Sequence, residues 1–228
     1  MTANPVIGRF APSPTGDLHF GSLVAAVGSF LEAKSAGGSW LLRIEDIDPP
    51  REVPGSADRI INDLERLGMS ADAPVFYQSS RTHIYRDVVE RLLAQGKAYP
   101  CACSRKDLPA SGIYPGTCRN GIPAGRTARS VRLLVEDDEC TFTDRVQGLV
   151  ADLPASLTGD FIIRRADGLF AYQLAVVVDD EFQGVTQVVR GADLLESTSR
   201  QIYLQSVLGY RTPEYMHLPV ALTTDGKK

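Results

Sequence analysis

The stretch Gly8–Ser22, GRFAPSPTGDLHFGS, gathers on one short turn the residue types that can bind a phosphate. An apolar lead-in precedes it and an amphipathic stretch begins at Ser22, a pattern that predicts a strand, a tight turn and a helix. Gly21 permits close approach of a ligand to the backbone, and the first N–H groups of the helix are unpaired at the positive end of its dipole. The imidazole of His19 can face the same anion. An ordinary strand–helix connection with a surface histidine is the alternative, but Arg9, His19 and Gly21 on one turn favour an anion site.

Three acidic residues, Glu45, Asp46 and Asp48, follow the apolar run Ser39–Ile44, which has the length of a strand. With the first strand and helix, this run makes a strand–helix–strand unit, which implies a parallel sheet with a right-handed crossover. Ligands of such sheets bind outside the carboxyl ends of the strands, where these acids lie. Acids at such a position are typical of a solvated strand end. Next to a turn that carries Arg9, they can instead hold an ammonium group.

Four cysteines, Cys101, Cys103, Cys118 and Cys140, can form disulfides or a metal site. The first residues, MTANPVIGRF, lack the basic and apolar regions of a signal peptide, so we expect a cytoplasmic protein with reduced thiols. Cys101 and Cys103 form a CxC pair, and a Pro-Gly turn before Cys118 can fold this third thiol back to them. Three thiolates predict a tetrahedral, structural zinc site. Cys140 is one candidate for the fourth ligand, and buried thiols without a metal are the alternative to the whole site.

The last part of the chain alternates strands and helices. Phe161–Arg165, Ala171–Val178 and Gln187–Val189 are predicted strands, and a helix capped by Ser197 is predicted to end at Gly209. Ala171–Val178 is apolar through its middle, which is typical of a strand buried on both faces. This half mirrors the first, and we expect the binding site in the cleft between them.

The segment 97–149 interrupts the regular pattern. It is rich in Gly, Pro and Cys, shows few apolar periodicities, and carries a basic cluster: Arg119, Arg126, Arg129 and Arg132. We therefore predict a Rossmann-like α/β fold with a parallel sheet and an insertion between its halves. The first half spans residues 1–96 and includes a helix capped by Ser56, the insertion with the zinc site spans 97–159, and the second half spans 160–228.

These motifs resemble those of the class I aminoacyl-tRNA synthetases, in the form RFAPSPTGxLHxG that the glutamate enzymes use. Within that family, HFGS at His19–Ser22 and RIEDIDPPREVPG at Arg43–Gly55 are most similar to the short paralogues of the glutamyl-tRNA synthetases. The resemblance continues at Cys101–Arg119 and Asp160–Arg200, and so covers nearly the whole chain.

The resemblance assigns roles to particular residues. It implies a catalytic role for His19 and Gly21, and an ATP-binding site formed by His19, Gly21, Ser22 and Lys228. It implies a pocket for L-glutamate, with Glu45 at the amino group, formed by Arg9, Phe10, Ala11, Pro12, Ser13, Glu45, Tyr172 and Arg190. It implies zinc ligands at Cys101, Cys103, Tyr114 and Cys118. An acidic substrate needs a guanidinium in a partly dry site, although Tyr172 is equally a core aromatic and Arg190 a surface ion-pair partner when each is taken alone.

Lys228 stands where the family's mobile KMSKS-type loop has its first lysine. We therefore expect the complete protein to continue beyond it, to the lysine that meets the ATP phosphates.

The implied activity is that of an ATP-dependent ligase. The α-carboxylate of L-glutamate attacks the α-phosphate of ATP, with Mg²⁺ screening charge, and the glutamyl-adenylate passes its glutamate to queuosine at the wobble position of tRNA(Asp). Three alternatives stay open. They are the catalytic fragment of a full glutamyl-tRNA synthetase that charges tRNA(Glu), a non-catalytic RNA-binding paralogue, and a small-metabolite adenylyltransferase that shares the HxG turn.

The overall charge does not predict binding to nucleic acid. The net charge is −4 and the pI is near 5.4, so any contact with RNA must be a local patch. The resemblance implies that the insertion faces the RNA. No apolar run is long enough to span a bilayer, and we expect a monomer that makes no contact with membranes.

Overall fold

The structure is a computed structural model that describes residues 5–221. Within this range ten strands form two sheets: β1 (Ile7–Phe10), β2 (Ser39–Ile44), β3 (Phe76–Tyr77), β4 (Ala98–Cys101), β5 (Ser130–Leu133), β6 (Cys140–Asp144), β7 (Gly148–Asp152), β8 (Ile162–Arg164), β9 (Gln187–Gly191) and β10 (Glu214–Leu218). The main sheet has the order β3-β2-β1-β9-β10-β6-β7, and the small sheet has the order β4-β5-β8. Every pairing in the main sheet is parallel except the β6–β7 hairpin, which confirms the predicted parallel α/β sheet.

Six α-helices of the described part connect the strands: α1 (Phe20–Ser35), α2 (Ser56–Arg66), α3 (Thr82–Ala94), α4 (Pro154–Leu157), α5 (Tyr172–Phe182) and α6 (Leu195–Leu208). None of them has the length and apolar character needed to cross a lipid bilayer. β1, α1 and β2 form the predicted strand–helix–strand unit, and β9, α6 and β10 repeat it. β1 and β9 are neighbours, so the two units extend from the middle of the sheet in opposite directions. Sheets of this kind bind ligands at that point.

Small residues let helix α1 lie close to the sheet. A Cβ at Gly8 would lie 3.1 Å from Ala33 Cβ, and a Cβ at Gly28 would lie only 2.4 Å from Leu218 Cδ1. Larger side chains at these positions would push the helix away from β1 and β10. The glycines therefore let the middle and the last turn of α1 pack closely against these strands.

Helix α5 occupies the segment for which the sequence predicts a strand over Ala171–Val178, and that prediction is wrong. Every residue from Gln173 to Asp180 is buried, because α5 packs with α3, α6 and β8 in one apolar cluster. A helix buried on most sides has no polar face, so the period of its sequence does not distinguish it from a buried strand. Tyr172 is consequently the first residue of a helix.

Two predicted helix caps are displaced. Gly55, with φ of 73°, caps α2, and Ser56 is the first helical residue. Helix α6 begins at Leu195, before the predicted cap Ser197. Gly209 ends α6 as predicted, with φ of 71°, a conformation that glycine adopts without strain.

The interval 97–159 is divided between the two sheets. β6 and β7 lie inside it, yet they extend the main sheet next to β10, where Asp144 pairs with Tyr215. β8 lies after residue 159, yet it joins the small sheet by pairing with β5. The boundaries at residues 97 and 159 therefore do not coincide with the division between the sheets, and side chains of β6 can reach the end of β10.

Candidate active site

A cavity of about 770 Å³ opens at the carboxyl ends of β1, β9 and β10. Ten of the predicted site residues are in its wall: Arg9, Phe10, Ala11, Pro12, Ser13, His19, Gly21, Ser22, Tyr172 and Arg190. Glu45 is not in this wall and lines an adjoining pocket of about 70 Å³, whose wall shares Ser13 and Tyr172 with the cavity. Lys228 lies outside the described residues. The predicted ATP turn and most of the predicted glutamate pocket thus face the same space.

His19 caps helix α1 with its own side chain. Its backbone is extended, with φ −87° and ψ 168°, and its Nδ1 accepts a hydrogen bond from Ser22 N–H at 3.2 Å. Because this bond needs an unprotonated Nδ1, the neutral ring carries its proton on Nε2 and can donate it to an anion. A Cβ at Gly21 would lie 3.1 Å from His19 Cε1 and 3.2 Å from Nδ1, so glycine is what leaves the ring room in this position.

The loop between β1 and α1 is held to the rest of the fold by buried Ser56. The hydroxyl of Ser56 donates to Gly16 O at 2.5 Å and accepts Gly16 N–H at 3.2 Å. The backbone N–H of Glu45 donates to Pro12 O at 2.9 Å. Ser56 therefore orders the anion-binding loop instead of capping its own helix.

Arg190 is a buried guanidinium in the cavity wall, 5% exposed. Its Nη1 donates to the hydroxyl of Tyr172 at 3.3 Å, and its Nη2 donates to Thr198 Oγ1 at 2.7 Å and to Leu194 O at 3.5 Å. Its Nε donates to His217 Nε2 at 3.0 Å. All four partners are uncharged. Because buried charges are normally paired, this guanidinium is suited to an anionic ligand.

Arg9 lines the cavity and also belongs to a buried ion pair. Its Nε and Nη2 donate to the two carboxylate oxygens of Asp180 at 3.1 and 3.4 Å, and Nη2 of Arg43 donates to the same carboxylate at 2.7 Å. Burial raises the pKa of Asp180, but the charges of Arg43 and Arg9 outweigh burial and hold this pKa below its usual value. The carboxylate is therefore ionised, and the three side chains together carry a net charge of about plus one.

Glu45 is buried beside this group. Its Oε1 lies 3.6 Å from Arg43 Nε, which is an ion-pair contact but too long for a hydrogen bond, and neither atom has a hydrogen-bond partner within residues 5–221. Burial raises the pKa of Glu45 to about 7, although Arg43 and Arg9 act in the opposite direction. Glu45 also lines the adjoining pocket, so a cation bound there would lie beside this carboxyl group.

The two other acids of the predicted cluster shape the turn after β2. Asp46 accepts hydrogen bonds from the backbone N–H and the hydroxyl of Ser79 at 2.8 and 2.6 Å. Asp48 forms ion pairs with Arg51 and Arg165 at 2.6 and 3.1 Å. Both carboxylates are thus engaged with the protein.

Cys101, Cys103 and Cys118 converge as predicted. Their Sγ atoms all lie within 4.8 Å of one another, and all three residues are buried. The hydroxyl of Tyr114 lies 3.4 Å from Cys101 Sγ and 3.8 Å from Cys103 Sγ, and it accepts Cys118 N–H at 2.9 Å. Cys140 lies in β6 of the main sheet, outside this cluster. Tyr114 is therefore the candidate fourth ligand that the structure brings to the three thiols.

The three thiols of this cluster fit zinc, which prefers thiolate ligands. The phenolic oxygen of Tyr114 is an unusual zinc ligand, and burial raises the pKa of this hydroxyl. Burial raises the pKa of Cys101, but hydrogen bonds from Tyr114, from the Cys103 N–H and from Arg132 outweigh burial and lower this pKa to about 7. The thiolate, which is the form that binds metals, is thus accessible near neutral pH.

The residues that hold the two cavity arginines are not evident from the sequence. Asp180 gives a weak signal, because two consecutive acids end an apolar run, and buried acids need partners. His217 and Thr198 give none, since each is a single polar residue in an ordinary strand or helix. Their roles depend on the packing of α6 and β10 against β9.

The N-terminus of α1 lies at the switch point of a doubly wound sheet, beside a buried guanidinium, and this is the kind of place where such sheets bind nucleotide phosphates. The family model "tRNA synthetases class I (E and Q), catalytic domain" matches residues 5–111 and 118–228. The chain belongs to this family.

Curated relatives extend over the whole chain. A protein of Dechloromonas aromatica named glutamyl-Q tRNA(Asp) synthetase is 57% identical over 234 residues, covering 99% of this chain and 78% of its own length. A protein of Chromobacterium violaceum with the same name is 56% identical over 228 residues, covering 97% of this chain and 76% of its own length.

A solved structure of the same family matches the fold closely. The glutamate tRNA ligase from Elizabethkingia meningosepticum, in complex with its amino acid, has a TM-score of 0.86 and 30% identity. The match covers 99% of this chain and 51% of that one, so the chain spans about half of the ligase. A tyrosyl-tRNA synthetase from Archaeoglobus fulgidus, 15% identical with a TM-score of 0.53 over 100% of this chain and 59% of its own, shares the fold alone.

Proposed function

We propose that this chain activates L-glutamate with ATP and transfers the glutamyl group to queuosine of tRNA(Asp). The observation that carries the proposal is Arg190, a buried guanidinium with neutral partners, in the wall of the cavity that also contains the His19 turn. Such a cavity has the charge for an acidic amino acid next to a site for phosphates. The names of the curated relatives support queuosine in tRNA(Asp) as the acceptor.

The ATP part of the cavity is assigned to the start of helix α1. His19 would donate from Nε2 to a phosphate oxygen, and the positive end of the α1 dipole near Gly21 would stabilise the charge of the triphosphate. Mg²⁺ would accompany the ATP and screen its phosphates. These groups are positioned before the reaction, and phosphoryl chemistry depends on such positioning rather than on a protein nucleophile.

The glutamate part is assigned to Arg9, Ser13, Tyr172 and Arg190, with Glu45 in the adjoining pocket. Arg190 and Arg9 would attract the side-chain carboxylate, and Glu45 would hold the ammonium group when ionised. The neighbours Phe10, Ala11 and Pro12 complete the wall. The α-carboxylate would then face the ATP turn, attack the α-phosphate and release pyrophosphate. A hydroxyl of the queuosine diol would attack the resulting glutamyl-adenylate and release AMP.

We propose a structural zinc site at Cys101, Cys103, Tyr114 and Cys118. The four donors come from β4 and the loop that follows it, a segment with little regular structure of its own. Zinc would connect the two ends of this loop and contribute to its folding. All four donors are protein groups, so no position is left for a substrate.

The decisive experiment offers the full-length enzyme ATP and labelled glutamate together with purified RNAs. We expect label on queuosine-containing tRNA(Asp), and none on tRNA(Asp) that lacks queuosine or on tRNA(Glu). Label on tRNA(Glu) alone would identify a glutamyl-tRNA synthetase instead. Absence of glutamate-dependent exchange between pyrophosphate and ATP would contradict glutamate activation altogether.

A further inference from the structure

Arg190 is held from behind by a buried carboxylate and a buried imidazole. Asp144 Oδ2 lies 2.6 Å from His217 Nδ1, and His217 Nε2 lies 3.0 Å from Arg190 Nε. Asp144 and His217 have exposures of 1% and 0%. The three side chains come from β6, β10 and β9, which are adjacent strands of the main sheet.

The hydrogen-bond partners select one form of the imidazole. With the proton on Nδ1, His217 donates to the carboxylate of Asp144 and accepts the Nε–H of Arg190. With the proton on Nε2, two acceptors would face each other at Nδ1, and the Nε–H of Arg190 would lose its acceptor, although Thr198 Oγ1, 3.0 Å from Nε2, could accept the imidazole proton. Burial lowers the pKa of His217, and the charge of Arg190 lowers it further. The ring is therefore neutral, and its partners place the proton on Nδ1.

Asp144 is itself fixed in place. Its Oδ1 accepts the backbone N–H groups of Val146 and Gln147 at 3.0 and 2.8 Å in the turn between β6 and β7. Its Oδ2 accepts the backbone N–H of His217 at 3.0 Å. Burial raises the pKa of Asp144, but these hydrogen bonds outweigh burial and lower it. An ionised carboxylate with this many partners cannot rotate away from His217.

The arrangement determines which edge of Arg190 faces the cavity. Nε is engaged by His217 and Nη2 by Thr198, whereas Nη1 points to Tyr172, which also lines the cavity. A guanidinium on a flexible side chain has many orientations of similar energy, and fixing one of them on binding costs conformational entropy. Because His217 and Thr198 hold Arg190 before the ligand binds, binding does not carry this cost.

We propose that Asp144 and His217 act as positioning residues, which hold the guanidinium of Arg190 in the orientation that binds the acidic group of the substrate. The inference rests on the proposed function in that Arg190 must contact glutamate. It adds that the β6–β7 hairpin, within the 97–159 interval, contributes to substrate specificity through His217.

Two substitutions of His217 separate its two hydrogen bonds. In His217→Gln, the amide group reaches the former position of Nε2 and can accept from Arg190. In His217→Asn, it reaches the former position of Nδ1 and can donate to Asp144, but Arg190 loses its acceptor.

We expect His217→Asn to raise the KM for glutamate by about tenfold, the effect of losing one charge-assisted hydrogen bond, with the KM for ATP unchanged. We expect His217→Gln to stay near the wild-type KM for glutamate.

The measurement is glutamate-dependent exchange of pyrophosphate with ATP by the full-length enzyme. Equal KM values for glutamate in the two variants, or equal rises in the KM for ATP, would overturn the proposal. If the variants do not fold, ¹⁵N NMR of the wild-type imidazole decides instead. A proton on Nδ1 is expected, and a proton on Nε2 or a charged ring at neutral pH would overturn the proposal.

A third variant separates this inference from the proposed function. In the Arg190→Ala background, His217→Asn should add no further rise in the KM for glutamate, because the group it positions is gone. An additive rise would overturn the positioning role. An unchanged KM for glutamate in Arg190→Ala itself would instead contradict the proposed glutamate pocket, whatever the tautomer of His217.

Discussion

Asp180 of α5 receives two hydrogen bonds from Arg9 of β1, at 3.1 and 3.4 Å, and so joins the buried helix to the strand that leads into the cavity. The same carboxylate binds Arg43 of β2 at 2.7 Å. The three side chains are at most 8% exposed. One carboxylate therefore fixes two cations beneath the site, and this requires α5 to be a helix that turns Asp180 toward the sheet.

Replacing this carboxylate should destabilise the fold. Asp180→Asn keeps the size of the side chain but leaves Arg9 and Arg43 buried without a counter-charge, and we expect the free energy of unfolding to fall by about 3–5 kcal/mol. Denaturant titration measures the change. Asp17→Asn is the matched control, because its ion pair with Arg59 is 71% and 46% exposed and should contribute less than about 1 kcal/mol. Equal losses in the two variants would contradict the role of Asp180.

Removing the guanidinium of Arg190 should impair the use of glutamate selectively. Arg190→Ala deletes the buried cation with neutral partners, and a charge-assisted hydrogen bond is worth about 1.5–3 kcal/mol, so we expect the KM for glutamate to rise about 10- to 150-fold. The KM for ATP should change little. Arg190→Lys keeps the charge without the planar fork and should be intermediate. Equal losses for both substrates would count against the assignment of this residue to the glutamate pocket.

The ATP turn can be tested at Gly21. In Gly21→Ala, the new Cβ would lie 3.1 Å from His19 Cε1 and 3.2 Å from Nδ1, so the ring must move and its bond to Ser22 N–H must weaken. We expect a higher KM for ATP, by about tenfold for the loss of one positioned hydrogen bond to phosphate, and an unchanged KM for glutamate. The two constants are obtained from the same exchange assay. A change confined to glutamate would show that His19 belongs to the other part of the cavity.

Local chemistry made some parts of this site predictable. His19, Gly21 and Ser22 lie within one turn, and the apolar runs around them have clear strand and helix periods, so the sequence predicts their proximity. Cys101 and Cys103 are likewise close in sequence, and the Pro-Gly turn indicates how Cys118 returns. In each case a few neighbouring residues determine the geometry.

The remaining parts depend on contacts that are distant in sequence. Asp180 meets Arg9 across 171 positions and Asp144 meets His217 across 73. The three valines Val176–Val178 favour a strand locally, but burial of α5 against α3, α6 and β8 overrides that preference. Glu45 is predicted in the glutamate pocket, and its place in the adjoining pocket, whose wall shares Ser13 and Tyr172 with the cavity, is not evident from the sequence.

Glu45 should make glutamate binding depend on pH. Burial raises its pKa to about 7, so the side chain is neutral below about pH 7 and can hold an ammonium group only above it. We expect the KM for glutamate to fall as pH rises through about 7, and Glu45→Gln should remove this dependence while leaving a high KM. A KM that shows the same pH dependence in Glu45→Gln would assign the titration to another group.

The raised pKa of Glu45 also makes the stability of the fold depend on pH. Stability should fall as pH rises, whereas glutamate binding should improve. A folded-state pKa raised above the ordinary value of about 4.3 means that the folded protein binds a proton which the unfolded chain releases. The contribution of Glu45 to the free energy of unfolding is therefore full below about pH 4.3 and is lost as pH rises through about 7. Urea titrations of wild type and Glu45→Gln at several pH values should diverge in this range, and parallel curves would contradict the buried, proton-binding state of Glu45.

The cysteine cluster allows a matched test of metal binding. We expect about one zinc per chain in the purified protein, lost in Cys118→Ser and retained in Cys140→Ser, because Cys140 lies in the main sheet away from the other thiols. Cys118→Ser and treatment with a chelator should both lower the midpoint of thermal unfolding, since a structural metal binds only the folded loop. Tyr114→Phe tests the fourth ligand and should weaken zinc binding without abolishing it. Loss of zinc in Cys140→Ser but not in Tyr114→Phe would make Cys140 the fourth ligand, and wild-type protein without zinc would remove the site.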